Sequence, residues 1–256
     1  MAGAERHPNI ANLAVRSIFL GAFRLYRLEP ARVAGASLAI LLPPVLLGEA
    51  AHALDVSAPS NPILYAALLP ATTGLLTLIR LVLLAEVMDE LVGAAVRGSA
   101  QPSLAEAARS LPLGPLVVAD VVVAMFVAAA AALGVIPGVV VAALVGITGP
   151  AVNIERQGPL AAVARSIRLT WPHVWLALGV VAPAIVIEGA AHAFLLRTWD
   201  TLGFLGELVV EVPLILTVGA LVALTEVVLA YALMARDPGS RVAAMVEASL
   251  RPTGVP

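Results

Sequence analysis

Long apolar stretches separated by short polar ones are the dominant pattern along this chain. A helix that crosses a lipid bilayer needs about 20 mainly apolar residues. Six stretches reach that length, at about residues 33–54, 63–88, 113–133, 136–154, 174–196 and 208–235. Several contain proline, which a lipid-embedded helix tolerates as a kink because neighbouring groups satisfy the freed carbonyls. The pattern predicts an all-α integral membrane protein with six transmembrane helices, arranged as three hairpins.

Three of the polar stretches contain an Arg-Ser pair, and the chain has no other such pair. The pairs are Arg16-Ser17, Arg109-Ser110 and Arg165-Ser166. In the first stretch, residues 10–28, the arginines occupy one side of a helix at about 100° per residue, with apolar residues around the remainder. The second stretch opens with a capping box of Ser103 and Glu106, and the third has Pro159 at its first helical position. Each stretch therefore predicts a short amphipathic helix.

These amphipathic helices are predicted to lie in the plane of the lipid headgroups, with arginine toward phosphate. An ordinary cytoplasmic connector is the alternative. The arginines predicted to face phosphate are Arg16, Arg109, Arg165 and Arg168. One amphipathic helix followed by one hairpin recurs along the chain, which predicts three repeat units. The units lie at about residues 10–88, 103–154 and 158–235 of a single membrane domain, residues 1–256, whose final residues 236–256 form a cytoplasmic tail.

The distribution of arginine orients the predicted bundle. With the N-terminus inside, cytoplasmic segments hold 13 of the 15 basic residues, Arg197 is external and Arg80 lies within a span. The positive-inside rule then places both termini in the cytoplasm and the chain in the inner, or plasma, membrane.

Composition agrees with a lipid environment and excludes several classes of function. Hydrophobic residues make up 61% of the chain and charged residues 12%, whereas about 25% of a soluble domain is charged. Cysteine is absent, which excludes disulfides and thiolate metal sites. No arginine cluster is accompanied by stacking aromatic residues, so no nucleic-acid partner is predicted. Walker loops and dinucleotide fingerprints are also absent, and no cofactor or bound metal is predicted.

Three ionisable residues within the predicted spans are candidates for function. Arg80 and Glu226 lie near the middle of their spans, and Asp120 lies somewhat nearer the cytoplasmic side. Because a charge within lipid is costly, such a residue usually has a partner or faces a cavity. A buried ion pair that fixes helix packing is the favoured interpretation. A site for a substrate anion or for proton coupling, and a contact with a lipid headgroup, are the alternatives.

Two pairs of residues near the external ends of spans form a second candidate site. Glu49 and His52 are three residues apart, and Glu188 and His192 are four apart, so each pair shares a helix face. If two repeat units abut, these side chains form a ligand set that suits zinc. The favoured alternative is that all four meet water at the headgroup level, since the chain has no HExxH motif.

A family resemblance is carried by the segment AVNIERQGPLAAVARSIRLTWPHVW, residues 151–175. Its glutamate, glycine and Arg-Ser helix lead to an aromatic-flanked span. This segment resembles one in the membrane domain of some bacterial glycerophosphoryl diester phosphodiesterases, which also occurs as free-standing multi-pass proteins. Runs at residues 19–26 and 231–236 are similar too, so the resemblance extends over nearly the whole chain. The catalytic barrel of those enzymes has no room here, so the resemblance implies a membrane domain without hydrolytic activity.

Three functions are compatible with these features. A lipid-associated scaffold or accessory membrane domain without catalytic activity is favoured, with membrane lipids and a membrane-protein partner, or a second copy of the chain, as its partners. A small transporter or channel that uses Arg80 near the midplane is the alternative. An intramembrane metal-dependent enzyme is the third, and it rests only on the Glu/His pairs.

Overall fold

A computed structural model describes residues 14–53, 83–94 and 102–250 of the chain. These residues form helices and no strand. The helices are α1 (Val15–Leu28), α2 (Pro30–Ala53), α3 (83–94), α4 (Leu104–Ser110), α5 (Leu113–Ala132), α6 (Val135–Val145), α7 (Thr148–Glu155), α8 (Pro159–Thr170), α9 (Val174–Leu214), α10 (Ala220–Met234) and α11 (Arg241–Leu250). A 3₁₀ turn, Trp171–His173, joins α8 to α9, and a π-helical turn, Ile215–Gly219, joins α9 to α10.

Four helical segments in the described part of the chain are long and apolar enough to cross a membrane. They are Leu113–Ala132, Val135–Glu155, Pro159–Ile187 and Val209–Met234. All four overlap the last four predicted spans, and α2 includes a shorter apolar helix, Pro30–Pro43, within which the first predicted span begins. Most of the second predicted span, 63–88, lies outside the described residues. The chain is therefore an all-α protein with the helices of a membrane protein.

Each Arg-Ser pair lies on a short helix that is followed directly by a longer apolar helix. The short helices are α1, α4 and α8, and the longer ones are α2, α5 and α9. A proline lies at each junction, at Pro30, Pro112 and Pro172. Because proline lacks an N–H and its ring clashes with the preceding turn, it marks where one helix stops and the next begins. The local sequence thus determines these boundaries.

The centre of the structure is α10, in which every residue from Ala223 to Met234 is buried except the half-buried Glu226. Helix α1 packs on it through a small residue, since a Cβ added at Gly21 would lie 3.2 Å from Val228 Cγ1. Small residues of this kind allow close approach of helices in membranes.

The N-terminal end of α1 contacts α9 even more closely. A Cβ added at Gly179 would lie 2.7 Å from Val15 Cγ2. The Tyr26 hydroxyl, at the other end of α1, donates a hydrogen bond of 2.9 Å to the Leu216 carbonyl in the π-helical turn. Helix α1 therefore joins the beginning of α9 to the π-helical turn and α10, so these parts of the chain lie side by side.

Candidate functional site

Polar residues gather at one end of the bundle, where α3, α7, α8, α10 and α11 meet; we call this region the polar end. Helix α7 stops at Glu155, and the chain turns back over three residues before α8 begins. The Arg165 side chain, on α8, is only 7% exposed, and its Nε and Nη2 donate hydrogen bonds of 2.8 Å to the two oxygens of Glu155. Its Nη2 also lies 2.5 Å from Asp237, just beyond α10. One guanidinium therefore ties three segments together.

Arg165 is thus not among the surface arginines, contrary to the prediction that it faces lipid phosphate. It shares a helix face with Ala162 and Leu169, three residues before it and four after it, and both are buried. That face packs inward, so the arginine is buried with it. The other arginines predicted to face phosphate, Arg16, Arg109 and Arg168, are all exposed. Arg168 lines a shallow recess of about 460 Å³ beside the ion pair.

A second and smaller cavity at the polar end has a volume of about 210 Å³; we call it the polar pocket. Residues of α3, of α7 and the position after it, of α10 and of α11 line it. They are Asp89, Glu90, Asn153, Ile154, Arg156, Tyr231, Arg241 and Met245. The residues that line this small space therefore include two acidic and two basic ones. No local stretch of sequence contains this set, because four separate parts of the chain supply it.

Asn153 is the central polar residue of this pocket and is 3% exposed. Its Nδ2 donates hydrogen bonds to Asp89 Oδ2 at 2.6 Å and to Glu90 Oε1 at 3.4 Å. These carboxylates determine the orientation of the amide, since its oxygen would repel them. The amide oxygen, Oδ1, has no hydrogen-bond partner within the described part of the chain. Buried polar atoms are normally hydrogen-bonded, so this oxygen is an acceptor that a ligand with an N–H or O–H donor could satisfy.

Arg156 has an uncommon backbone conformation for its residue type. It follows α7 with φ 54° and ψ 38°, and it is the only residue other than glycine with a positive φ among residues 14–53, 83–94 and 102–250. Glycine or asparagine usually occupies this position, and the left-handed conformation costs another residue about 1 kcal/mol. Arg156 is one of the residues that line the polar pocket. A backbone position suited to glycine is therefore occupied by an arginine that borders this pocket.

Three further carboxylates lie deeper in the bundle. Glu86 is fully buried on α3, three residues before Asp89, and neither of its oxygens has a hydrogen-bond partner in the described ranges. Asp120 on α5 and Glu226 on α10 are close enough to Glu86 for their charges to interact. Among the described residues, no group of three or more metal-ligating side chains is placed to hold an ion.

The structure brings together some of the predicted site residues. Asp120 and Glu226 are electrostatic neighbours. Arg80, their predicted partner, lies outside the described residues, as do the side chains of the predicted external site, Glu49, His52, Glu188 and His192. Sequence reasoning missed Glu86, although it lies in the predicted second span, six residues after Arg80. The criterion that selected Arg80, an ionisable residue inside an apolar stretch, would have found it.

Comparison of the chain with protein-family models, curated proteins and solved structures finds no match. The resemblance to the membrane domain of phosphodiesterases therefore rests on the sequence motifs alone.

Proposed function

We propose that this protein is a lipid-associated accessory membrane domain, without catalytic activity, whose polar end lies at the cytoplasmic face of the inner membrane. The outer surface of α1 carries this proposal. It exposes large apolar side chains together with arginines: Phe19, Leu20, Phe23 and Leu28 with Arg16, Arg24 and Arg27. The guanidinium of Arg27 lies 5.5 Å from the centre of the Phe23 ring. Such a surface suits the boundary between headgroups and acyl chains, where apolar and cationic groups both find partners.

The remaining architecture follows from the same proposal. In this proposal, six spans form three hairpins, each preceded by a helix with an Arg-Ser pair, and both termini lie in the cytoplasm. The third hairpin would require a bend within α9, which is helical from Val174 to Leu214. The helix pairs α1–α2, α4–α5 and α8–α9 support this repeat. Exposed apolar side chains along α5, among them Val118, Met125 and Phe126, support contact with acyl chains.

The test is the stability of the purified full-length protein in nanodiscs of phosphatidylethanolamine, with and without phosphatidylglycerol. Anionic lipid should raise the thermal midpoint at low salt, since cationic side chains at a membrane surface attract it. The variant Arg24→Gln should lose part of that gain. Arg32→Gln is the control, because Arg32 is already paired with Glu29 at 3.7 Å. Equal midpoints in the two lipids would overturn the proposal.

Transport of a proton or a small cation is a second candidate function, and the buried carboxylate of Glu86 favours it. Ionisable residues inside a membrane bundle commonly mark proton relays or ion paths. Vesicles containing the protein and a pH-sensitive dye test this function. A proton flux that disappears in Glu86→Gln and persists in Glu106→Gln, an exposed carboxylate, would support transport. Wild-type vesicles as tight as empty ones would exclude proton transport.

A further inference from the structure

We propose that the polar pocket binds a small zwitterion that carries a primary ammonium and a phosphate group, the chemistry of a phosphoethanolamine headgroup. The juxtaposition of Asp89, Glu90 and Asn153 with Arg156 and Arg241 in one cavity carries the inference. As a lipid site, it rests on the proposed lipid-associated function, and it names the headgroup that the polar end recognises.

The ammonium half of the pocket is formed by α3 and α7. An ammonium has three N–H donors and no acceptor. The pocket offers the carboxylates of Asp89 and Glu90, together with Asn153 Oδ1, the buried oxygen without a partner in the described residues. Because the Asn153 amide is held by its hydrogen bond of 2.6 Å to Asp89, the acceptor is in place before the ligand binds. An ammonium there would give this oxygen the donor that it needs.

The phosphate half is formed by Arg156 and Arg241, which both line the cavity. Guanidinium groups bind phosphate through paired hydrogen bonds. Arg241 is also the first residue of α11, and the Ser240 hydroxyl accepts a hydrogen bond of 3.2 Å from the Ala243 N–H there. The positive end of the α11 dipole adds to the attraction for an anion.

The same residues argue against other ligands. A simple anion would be repelled by Asp89 and Glu90, and a simple cation by Arg156 and Arg241. Quaternary ammonium groups are recognised by aromatic cages, whereas the described residues that line this pocket include a single aromatic one, Tyr231. Its volume of about 210 Å³ is below the range of about 300–1,000 Å³ for pockets that hold drug-sized ligands. The ligand is therefore a small zwitterion with N–H donors.

Calorimetric titration of the purified full-length protein, stripped of phospholipid, tests the chemistry. O-phosphoethanolamine should bind, while O-phosphocholine and inorganic phosphate should each bind at least about tenfold more weakly, because they lack the ammonium donors. Arg241→Gln and Glu90→Gln should each weaken binding by at least about tenfold. Arg168→Gln, an exposed arginine in the neighbouring recess, should leave binding unchanged.

The source of the ligand is tested in nanodiscs. If the lipid is bound, phosphatidylethanolamine should raise the thermal midpoint relative to phosphatidylcholine, and Arg241→Gln should abolish the difference. Binding of free phosphoethanolamine without this lipid effect would support the proposed chemistry of the pocket. It would overturn the proposal that the ligand is a phosphatidylethanolamine headgroup. Equal affinity for phosphocholine, or no binding of phosphoethanolamine, would overturn the proposal. The anionic-lipid test of α1 does not depend on whether the polar pocket binds phosphoethanolamine. The proposed function and this inference can therefore fail separately.

Discussion

Arg165 and Glu155 form a bidentate salt bridge. Nε and Nη2 of Arg165 each lie 2.8 Å from a different carboxylate oxygen of Glu155. Both side chains are 7% exposed. The pair closes the turn between α7 and α8, and Asp237 joins it from beyond α10. Since Gln157 Nε2 also donates a hydrogen bond of 2.9 Å to Glu155, the carboxylate is held from two sides. This cluster keeps the segment that carries Asn153 and Arg156 in register with α10.

Removing one partner of this cluster should destabilise the protein. In Arg165→Met, two carboxylates lose their buried counter-charge, and breaking a buried pair typically costs about 3–5 kcal/mol. Thermal unfolding in detergent measures the loss. Arg168→Met, on the same helix but exposed, should change the midpoint little. An Arg165→Met protein as stable as the wild type would show that the ion pair does not hold the polar end together.

Adding a side chain at position 179 should force α1 and α9 apart. The added methyl group would lie 2.7 Å from Val15 Cγ2, and such overpacking costs about 1–3 kcal/mol. Gly179→Ala should therefore lower the thermal midpoint, and the added change Val15→Ala should recover part of the loss. Gly114→Ala serves as the control, because a Cβ at Gly114 meets nothing within 4 Å. Equal midpoints for Gly179→Ala and Gly114→Ala would contradict the close contact.

Glycine at position 156 should make the protein more stable and a poorer binder. Arg156 has φ 54°, a conformation that glycine adopts without the cost of about 1 kcal/mol. Arg156→Gly should therefore raise the free energy of unfolding by about that amount, while it weakens binding of O-phosphoethanolamine. Arg168→Gly is the matched control. It should lower the free energy of unfolding, because glycine within a helix costs about 1 kcal/mol. A loss of stability in Arg156→Gly would show that the side chain serves packing rather than binding.

The start of α4 should fray in acid. Ser103 donates from both its N–H and its hydroxyl to Glu106 Oε2, each at 2.8 Å, and this lowers the pKa of the Glu106 carboxyl. Because the folded pKa is below the unfolded one, the stabilisation is complete above the ordinary glutamate value of about 4.3. It is lost as the pH falls through the lower, folded pKa.

Hydrogen exchange of the α4 amides over this pH range measures the effect. In Glu106→Gln, the dependence on pH should disappear, and protection should stay at the lower level that the wild type reaches in acid. If Glu106→Gln kept the same dependence of protection on pH, that dependence would belong to another titrating group.

Local features of the sequence predicted much of the fold. Apolar stretches of sufficient length predicted the helices at 113–132 and 209–234, and Ser103 with Glu106 predicted the cap of α4, which forms as expected. These features depend only on residues near one another in the chain, so no knowledge of packing was needed. The hairpins, the orientation in the membrane and the three-fold repeat stay predictions.

The candidate site shows what sequence patterns could not supply. Asn153 and Asp89, 64 residues apart, are hydrogen-bonded at 2.6 Å, and nothing in either local stretch pairs them. Arg165 looked like its surface counterparts Arg16 and Arg109, because all three precede serine on an amphipathic helix. Only packing distinguishes them, since the face of α8 that carries Arg165 is covered by its neighbours.

The sequence by itself determined that the chain is helical, that it suits lipid and that three Arg-Ser helices precede longer apolar ones. These properties follow from hydrophobicity, helix capping and proline, which act over a few residues. The tertiary structure alone decided which arginine is buried, which carboxylates become neighbours and where opposite charges share a cavity. Those outcomes depend on how helices from distant parts of the chain pack, because charge and burial at a site are set by whatever side chains surround it.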